Sequence, residues 1–140
     1  LPIDSETLER ILPLSQQAAN QYWKTNVSKE AAHASLFLGD DWPSRNGVWQ
    51  PKTNWESSWE SDSPALPEEL AEHCQWEDNV TVFYCYDTHN VVQTQWGVFK
   101  RHWKNFLFVD DGTLLLAKGR DQVVRFFSDG NYQVGIKPEK

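Results

Sequence analysis

The chain has 140 residues, 39% of them hydrophobic and 14% aromatic, including eight Trp, seven Phe and four Tyr; this length suits one domain with its own core, and this composition excludes a disordered chain. The formal net charge of −7 argues against non-specific binding to nucleic acid or to an anionic membrane. No apolar run approaches the ~20 residues that span a bilayer, and no secretory signal is visible, so the expectation is a cytoplasmic protein whose two cysteines, Cys74 and Cys85, stay reduced.

The charge is uneven. Residues 1–78 carry 5 Lys/Arg against 14 Asp/Glu, and residues 79–140 carry 8 against 6. Two parts facing each other within one fold account for this; an acidic face that docks a basic partner is the sharper reading.

Asp4 or Ser5 caps a first short helix, with Leu8, Ile11 and Leu12 at helical spacing, and Pro13 ends it. Ser15 caps a second, whose Ala18, Ala19, Tyr22 and Trp23 share a face, so Trp23 is expected in the core. Ser28 caps a further turn or two through Phe37, with His33 an ordinary helix residue. Residues 39–66 hold Trp42, Trp49, Trp55 and Trp59, interrupted by Pro43, Pro51 and Pro64, and no period of 2 or 3.6 persists there. A loop this long is uncommon unless it is functional or packed by its own side chains. Trp55 and Trp59 are four apart, so one helical turn puts them on one face, with Glu56 and Glu60 on the adjacent one. Residues 67–73 read as a short helix, with proline at its start and acidic side chains in its first turn.

The pattern changes at Val80. Residues 80–86 are β-formers throughout, with Val80, Val82, Tyr84 and Tyr86 on one face and Thr81, Phe83 and Cys85 on the other. Residues 87–90 turn and residues 91–94 return. Trp96, Phe99 and Trp103 follow the i, i+3, i+7 spacing of a short helix from about Gln95 to Trp103; Gly97 counts against it by roughly 0.8–1.0 kcal/mol relative to Ala. Residues 106–109 read as a short strand or core plug and residues 114–117, 123–127 and 132–136 as strands, with turns at residues 110–112, 119–121 and 128–131. Asp129-Gly130 suits a two-residue hairpin turn. The expectation is a single α+β domain over residues 1–140: short N-terminal helices packed on a mostly antiparallel sheet of about five strands, with a long Trp-rich loop. Residues 1–78 supply the helices and loop, residues 79–140 the sheet.

Candidate chemistry is sparse. Cys85, Asp87 and His89 lie close in sequence, but alternation puts Cys85 and Asp87 on one strand face while His89 sits in the turn, so a buried Cys beside a polar turn is favoured over a nucleophile and its base. His73, Cys74, Cys85, His89 and His102 lack the paired spacing of a zinc site, and neither a metal nor another cofactor is expected. Asp40-Asp41 and Asp110-Asp111 read as loop and turn chemistry. Lys100, Arg101, His102 and Lys104 read as a solvated helix face with Trp96, Phe99 and Trp103 turned inward. No P-loop, dinucleotide fingerprint or serine-hydrolase motif is present.

Asp41-Trp42-Pro43-Ser44, Trp55-Glu56-Ser57-Ser58-Trp59-Glu60, the run Val82-Phe83-Tyr84-Cys85-Tyr86-Asp87 and Thr94-Gln95-Trp96-Gly97-Val98-Phe99-Lys100-Arg101 resemble a small family of bacterial cytoplasmic proteins known as a domain of unknown function. The resemblance continues through Trp103-Lys104-Asn105-Phe106-Leu107-Phe108 and Asp110-Asp111-Gly112 to Phe126-Phe127-Ser128-Asp129-Gly130. It covers nearly the whole chain and implies no reaction and no catalytic residue. The second half is also similar to small immunity or regulatory proteins, which combine aromatic richness with acidic charge, by analogy alone.

The leading expectation is therefore a non-enzymatic protein-binding or regulatory module. Its acidic Trp-rich loop makes the contact through Trp42, Trp49, Trp55 and Trp59, with Glu56 and Glu60 beside them, and at least two of the four rings are exposed. The alternative is a small-molecule-binding or enzymatic domain whose pocket is lined by Cys85, Asp87, His89 and His102.

Overall fold

Alternation along residues 81–87 decides the layering of the molecule. A computed structural model describes residues 5, 9–33, 36–37, 41–45, 47–54, 66–106 (backbone only at 104–106), 113–127 and 130–138. Among these, β3 (Thr81–Asp87) sends Val82 and Tyr84 to one face of a sheet and Phe83 and Cys85 to the other. Strands β4 (Asn90–Gln95), β5 (Thr113–Ala117), β6 (Gln122–Phe126) and β7 (Asn131–Ile136) continue the pattern. Two short strands from the first half, β1 (Leu12–Pro13) and β2 (Thr53–Asn54), close the edges. The order is β1-β4-β3-β5-β6-β7-β2, and every neighbouring pair is antiparallel. The fold is α+β, with seven strands among the described residues where about five were expected.

Helices pack on both faces. On the first lie α2 (Glu68–His73) and α3 (Trp96–Phe106). They bring Leu70, Trp96, Phe99 and Trp103, with Cys74 and Trp76, onto Val82, Tyr84, Leu115, Val124, Phe126, Tyr132 and Val134. Each ring on α3 hides ~150–250 Å², worth about 4–6 kcal/mol at 25 cal/mol per Å², so three of them outweigh the ~1 kcal/mol cost of Gly97. Gly97 is also required by space. A Cβ there would lie 2.8 Å from the Asp78 Cβ, and its N–H donates to the Asp78 carbonyl at 2.9 Å. Lys100 then reaches back to the Asp78 carboxylate at 2.6 Å.

On the second face α1 (Gln16–Asn26) packs Ala19 and Trp23 against Cys85, Val91 and Leu114. Ser15 caps it, its hydroxyl accepting from the Ala18 N–H at 3.1 Å. The Trp23 indole donates to the Ala31 carbonyl at 2.6 Å. Because helices pack on both faces, all five residues of β5 are buried.

Some sequence expectations fail for identifiable reasons. Leu12 and Pro13 are not helical: they pair with Gln93 and Val92, and proline is tolerated because β1 is an edge strand that needs no donor there. Ser28 makes its capping bond, accepting from the Ala31 N–H at 3.0 Å, yet no α-helix follows among the described residues; the Ala32 carbonyl is instead held by the Thr88 N–H at 2.9 Å. Strands β6 and β7 pair, Phe127 N–H donates to the Asn131 carbonyl and Gly130 has φ +90°, while Ser128 and Asp129 of the expected turn lie outside the described residues. The strand expected at 106–109 begins on Phe106, the last residue of α3; residues 107–112 and the turn expected among them lie outside the described residues.

Candidate functional site

The segment after the first tryptophan of the loop is built into the sheet rather than draped over it. Trp49 bridges Gly135, Gln50 N–H donates to Val134 O at 2.9 Å, and Ile136 N–H donates to Val48 O at 3.1 Å. Thr53 and Asn54 then pair with Tyr132 and Asn131. This docking needs a glycine in β7, since a Cβ on Gly135 would meet Val48 O at 2.5 Å.

Pro43, in a short 3₁₀ turn (Trp42–Ser44), organises what lies above. Its carbonyl accepts from the Trp49 indole at 2.9 Å and from Arg125 Nη1 at 3.2 Å. Arg125 Nε donates to Gln133 Oε1 at 2.8 Å, and the guanidinium carbon stands 4.4 Å from the centre of the Trp49 ring and 5.3 Å from that of Phe127. These contacts leave Arg125 on the wall of a hollow of about 410 Å³, bounded also by Phe37, Ser44, Arg45 and Gly47. No carboxylate among the described residues pairs with Arg125. Its pKa is lowered to about 10 because burial strips water from the guanidinium; it remains protonated at neutral pH. A cation desolvated without a counter-ion is stabilised by any anion that enters.

The expected contact residues divide. Trp42 is buried (8% exposed), its indole donating to Asn26 O at 2.8 Å and its ring 6.0 Å from Trp49; it holds the loop down and offers little surface. Trp49 is half-buried, with its ring shared between the core and the hollow. Trp55, Glu56, Trp59 and Glu60 lie outside the described residues. Arg125 was not singled out from sequence. The available signal is a lone charge in the apolar run Val123-Val124-Arg125-Phe126-Phe127, which alternation places on the face of Val123.

The alternative pocket does not form. Cys85 points into the second-face core, whereas His102 lies on α3, which covers the first face. Asp87 uses its carboxylate to build the turn, accepting from His89 N–H at 2.8 Å and from Asn90 Nδ2 at 2.9 Å, and His89 is exposed. Desolvation raises the Cys85 thiol pKa and pushes that of Cys74 up to about 12, so neither supplies a thiolate at neutral pH. At pH 8 a thiol-reactive disulfide dye should label neither cysteine of the native protein within minutes and both after unfolding in guanidinium; rapid native labelling of Cys85 would reopen a nucleophilic role. Among the described residues no three His, Cys, Asp or Glu side chains are grouped to hold a metal ion, and no helix is long and apolar enough to cross a membrane.

Fold and site together define an α+β protein with an antiparallel sheet packed by helices on both faces and an arginine–tryptophan hollow beside β6. A family model described as a protein of unknown function, DUF2947, matches residues 1–135, and the chain belongs to that family. No curated protein and no solved structure matches it.

Proposed function

We propose that this protein is a non-enzymatic module that recognises another protein, and that the hollow between Pro43, Ser44, Arg45, Gly47 and Trp49 and Arg125 of β6 receives an acidic group of that partner. The observation that carries this is the Arg125 guanidinium stacked on Trp49 with no carboxylate opposite it among the described residues. Trp and Arg are the side chains that dominate contact energetics, and the guanidinium fork matches a carboxylate in two bonds at once. Residues 48–54 are hydrogen-bonded into β7, so this surface is fixed before any partner arrives and loses little entropy on binding. The exposed Ser44, Arg45, Gly47 and Lys52 supply a polar rim. Trp55, Glu56, Trp59 and Glu60 enter the proposal from sequence alone; the net acidity steers a basic partner at long range, while the hollow reads one acid at contact.

The test is a titration with a short glutamate-rich peptide and its glutamine analogue at 0.15 M ionic strength, where the Debye length is about 8 Å, following the Trp49 indole N–H by NMR. The expected result is a saturable shift with the glutamate peptide only. Arg125→Met, checked for folding by its thermal melt, should weaken binding about 10- to 100-fold, the size of a lost charge-assisted hydrogen bond, and Arg125→Lys should recover it only in part. Equal responses to both peptides, or none in the wild type, would remove the reading.

A further inference from the structure

Helix α1 does not cover the whole second face. Ala19 and Trp23 lie over Cys85, Val91 and Leu114, and Tyr22 reaches the sheet beside them, its ring stacked on Phe83 with centroids 4.1 Å apart. Register places Gln93, Phe83 and Leu116 in one row across β4, β3 and β5. Beside that row the face opens into a groove of about 620 Å³, within the ~300–1,000 Å³ of small-molecule sites. One wall is the β5–β6 connection at residues 118–121, tied down where Lys118 N–H donates to Thr81 O at 2.8 Å. The other begins at Lys137, whose N–H donates to Asp121 O at 2.7 Å. The groove shares no lining residue with the Arg125 hollow.

Its lining has an apolar floor and donors with unused capacity. Phe83 is partly exposed beside Leu116. The side chains of Thr81 and Gln93 have no hydrogen-bond partner among the described residues, and Lys118 pairs with no carboxylate there. Arg120 has only the neighbouring Gly119 carbonyl, at 3.3 Å. Among the described lining residues Lys118 and Arg120 stand against one acid, Asp121, so this wall of the groove is cationic on a protein whose formal net charge is −7.

We propose that this groove binds a small organic anion, its acid group held by Lys118 and Arg120 and its flat apolar body lying along Phe83 and Leu116 beside Tyr22. Thr81 and Gln93 hydrogen-bond polar substituents on that body. The acid is a carboxylate or a phosphate ester, which the same two cations accept. This assignment does not rest on the protein-binding reading.

The probes are benzoate, phenyl phosphate and the neutral benzamide, titrated to concentrations on the order of 10 mM, suited to millimolar fragments, with the Tyr22 ring resonances as reporter. One or both anions should give a saturable shift, and the tighter one identifies the acid. Benzamide should bind at least about tenfold more weakly, the scale of one charged contact. Lys118→Ala/Arg120→Ala alters two exposed residues and should keep its thermal melt while losing the anion response. No shift with either anion, equal binding of benzamide, or full retention in the double variant overturns the proposal.

Discussion

Trp96→Ala is expected to cost about 3–5 kcal/mol, the range for truncating a buried large ring, out of a total stability of ~5–15 kcal/mol. Trp96 is the first residue of α3 and is 2% exposed. Its ring meets Trp76 edge-on at 4.9 Å and lies nearly parallel to Phe99 at 5.9 Å. Trp76 is itself held, its indole donating to Gln122 Oε1 at 3.2 Å, and Phe99 is wedged against Tyr84 and Phe126. Trp76 and Phe99 are each held by contacts away from Trp96, so the cavity left by the ring cannot collapse. Urea unfolding should show a lower midpoint with an unchanged slope. Arg101→Ala, an exposed change on the same helix, should stay within about 0.5 kcal/mol. A loss below ~1 kcal/mol for Trp96→Ala would mean that α3 is not the element that fills the first face.

Trp96, Phe99 and Trp103 were legible because a helix writes its buried face into local spacing, β3 because alternation does the same for a strand, and β5–β7 because they are short apolar runs bounded by turn residues. The Ser15 cap needed only three residues. The family was legible from whole motifs such as Thr94-Gln95-Trp96-Gly97-Val98-Phe99. What failed was non-local. Leu12–Pro13 and Thr53–Asn54 are too short to carry a period, and each is a strand only because a partner about 80 residues away in sequence supplies its hydrogen bonds. The candidate site failed in the same way. Trp49 could be named from composition, but its seat depends on Gly135 and its stacking partner on Arg125, and no window of sequence contains all three. Gly97 shows how tertiary contact reverses a local preference: propensity counts it as a weakness in a helix, whereas Asp78 leaves no space for a larger residue.

Gly135→Ala should be the most damaging single-methyl change for the hollow. The added Cβ would lie 2.5 Å from Val48 O and 2.7 Å from Trp49 Cε3. A side-chain tip can rotate away from such a contact, but Val48 O is backbone and accepts from Ile136 N–H, one residue along β7. Overpacking of this kind costs ~1–3 kcal/mol, and separating the segments gives up the Ile136–Val48 and Gln50–Val134 bonds at ~0.5–1.5 kcal/mol each, so the expected loss is about 2–6 kcal/mol. The damage should be local first. Amide exchange at Gln50 and Ile136 should accelerate while amides of α3 keep their protection, and the Trp49 response to the glutamate peptide should fall because Arg125 loses the ring beneath it. The double change with Trp49→Ala separates the two clashes. If the ring is the obstacle, Gly135→Ala costs little in the Trp49→Ala background. If the carbonyl is the obstacle, most of the cost persists there, which is the expected result, since 2.5 Å to a hydrogen-bonded backbone oxygen is the tighter of the two contacts. Wild-type stability together with a protected Gln50 amide in Gly135→Ala would show that residues 48–50 are not seated on β7, and the hollow would lose its floor as a recognition surface.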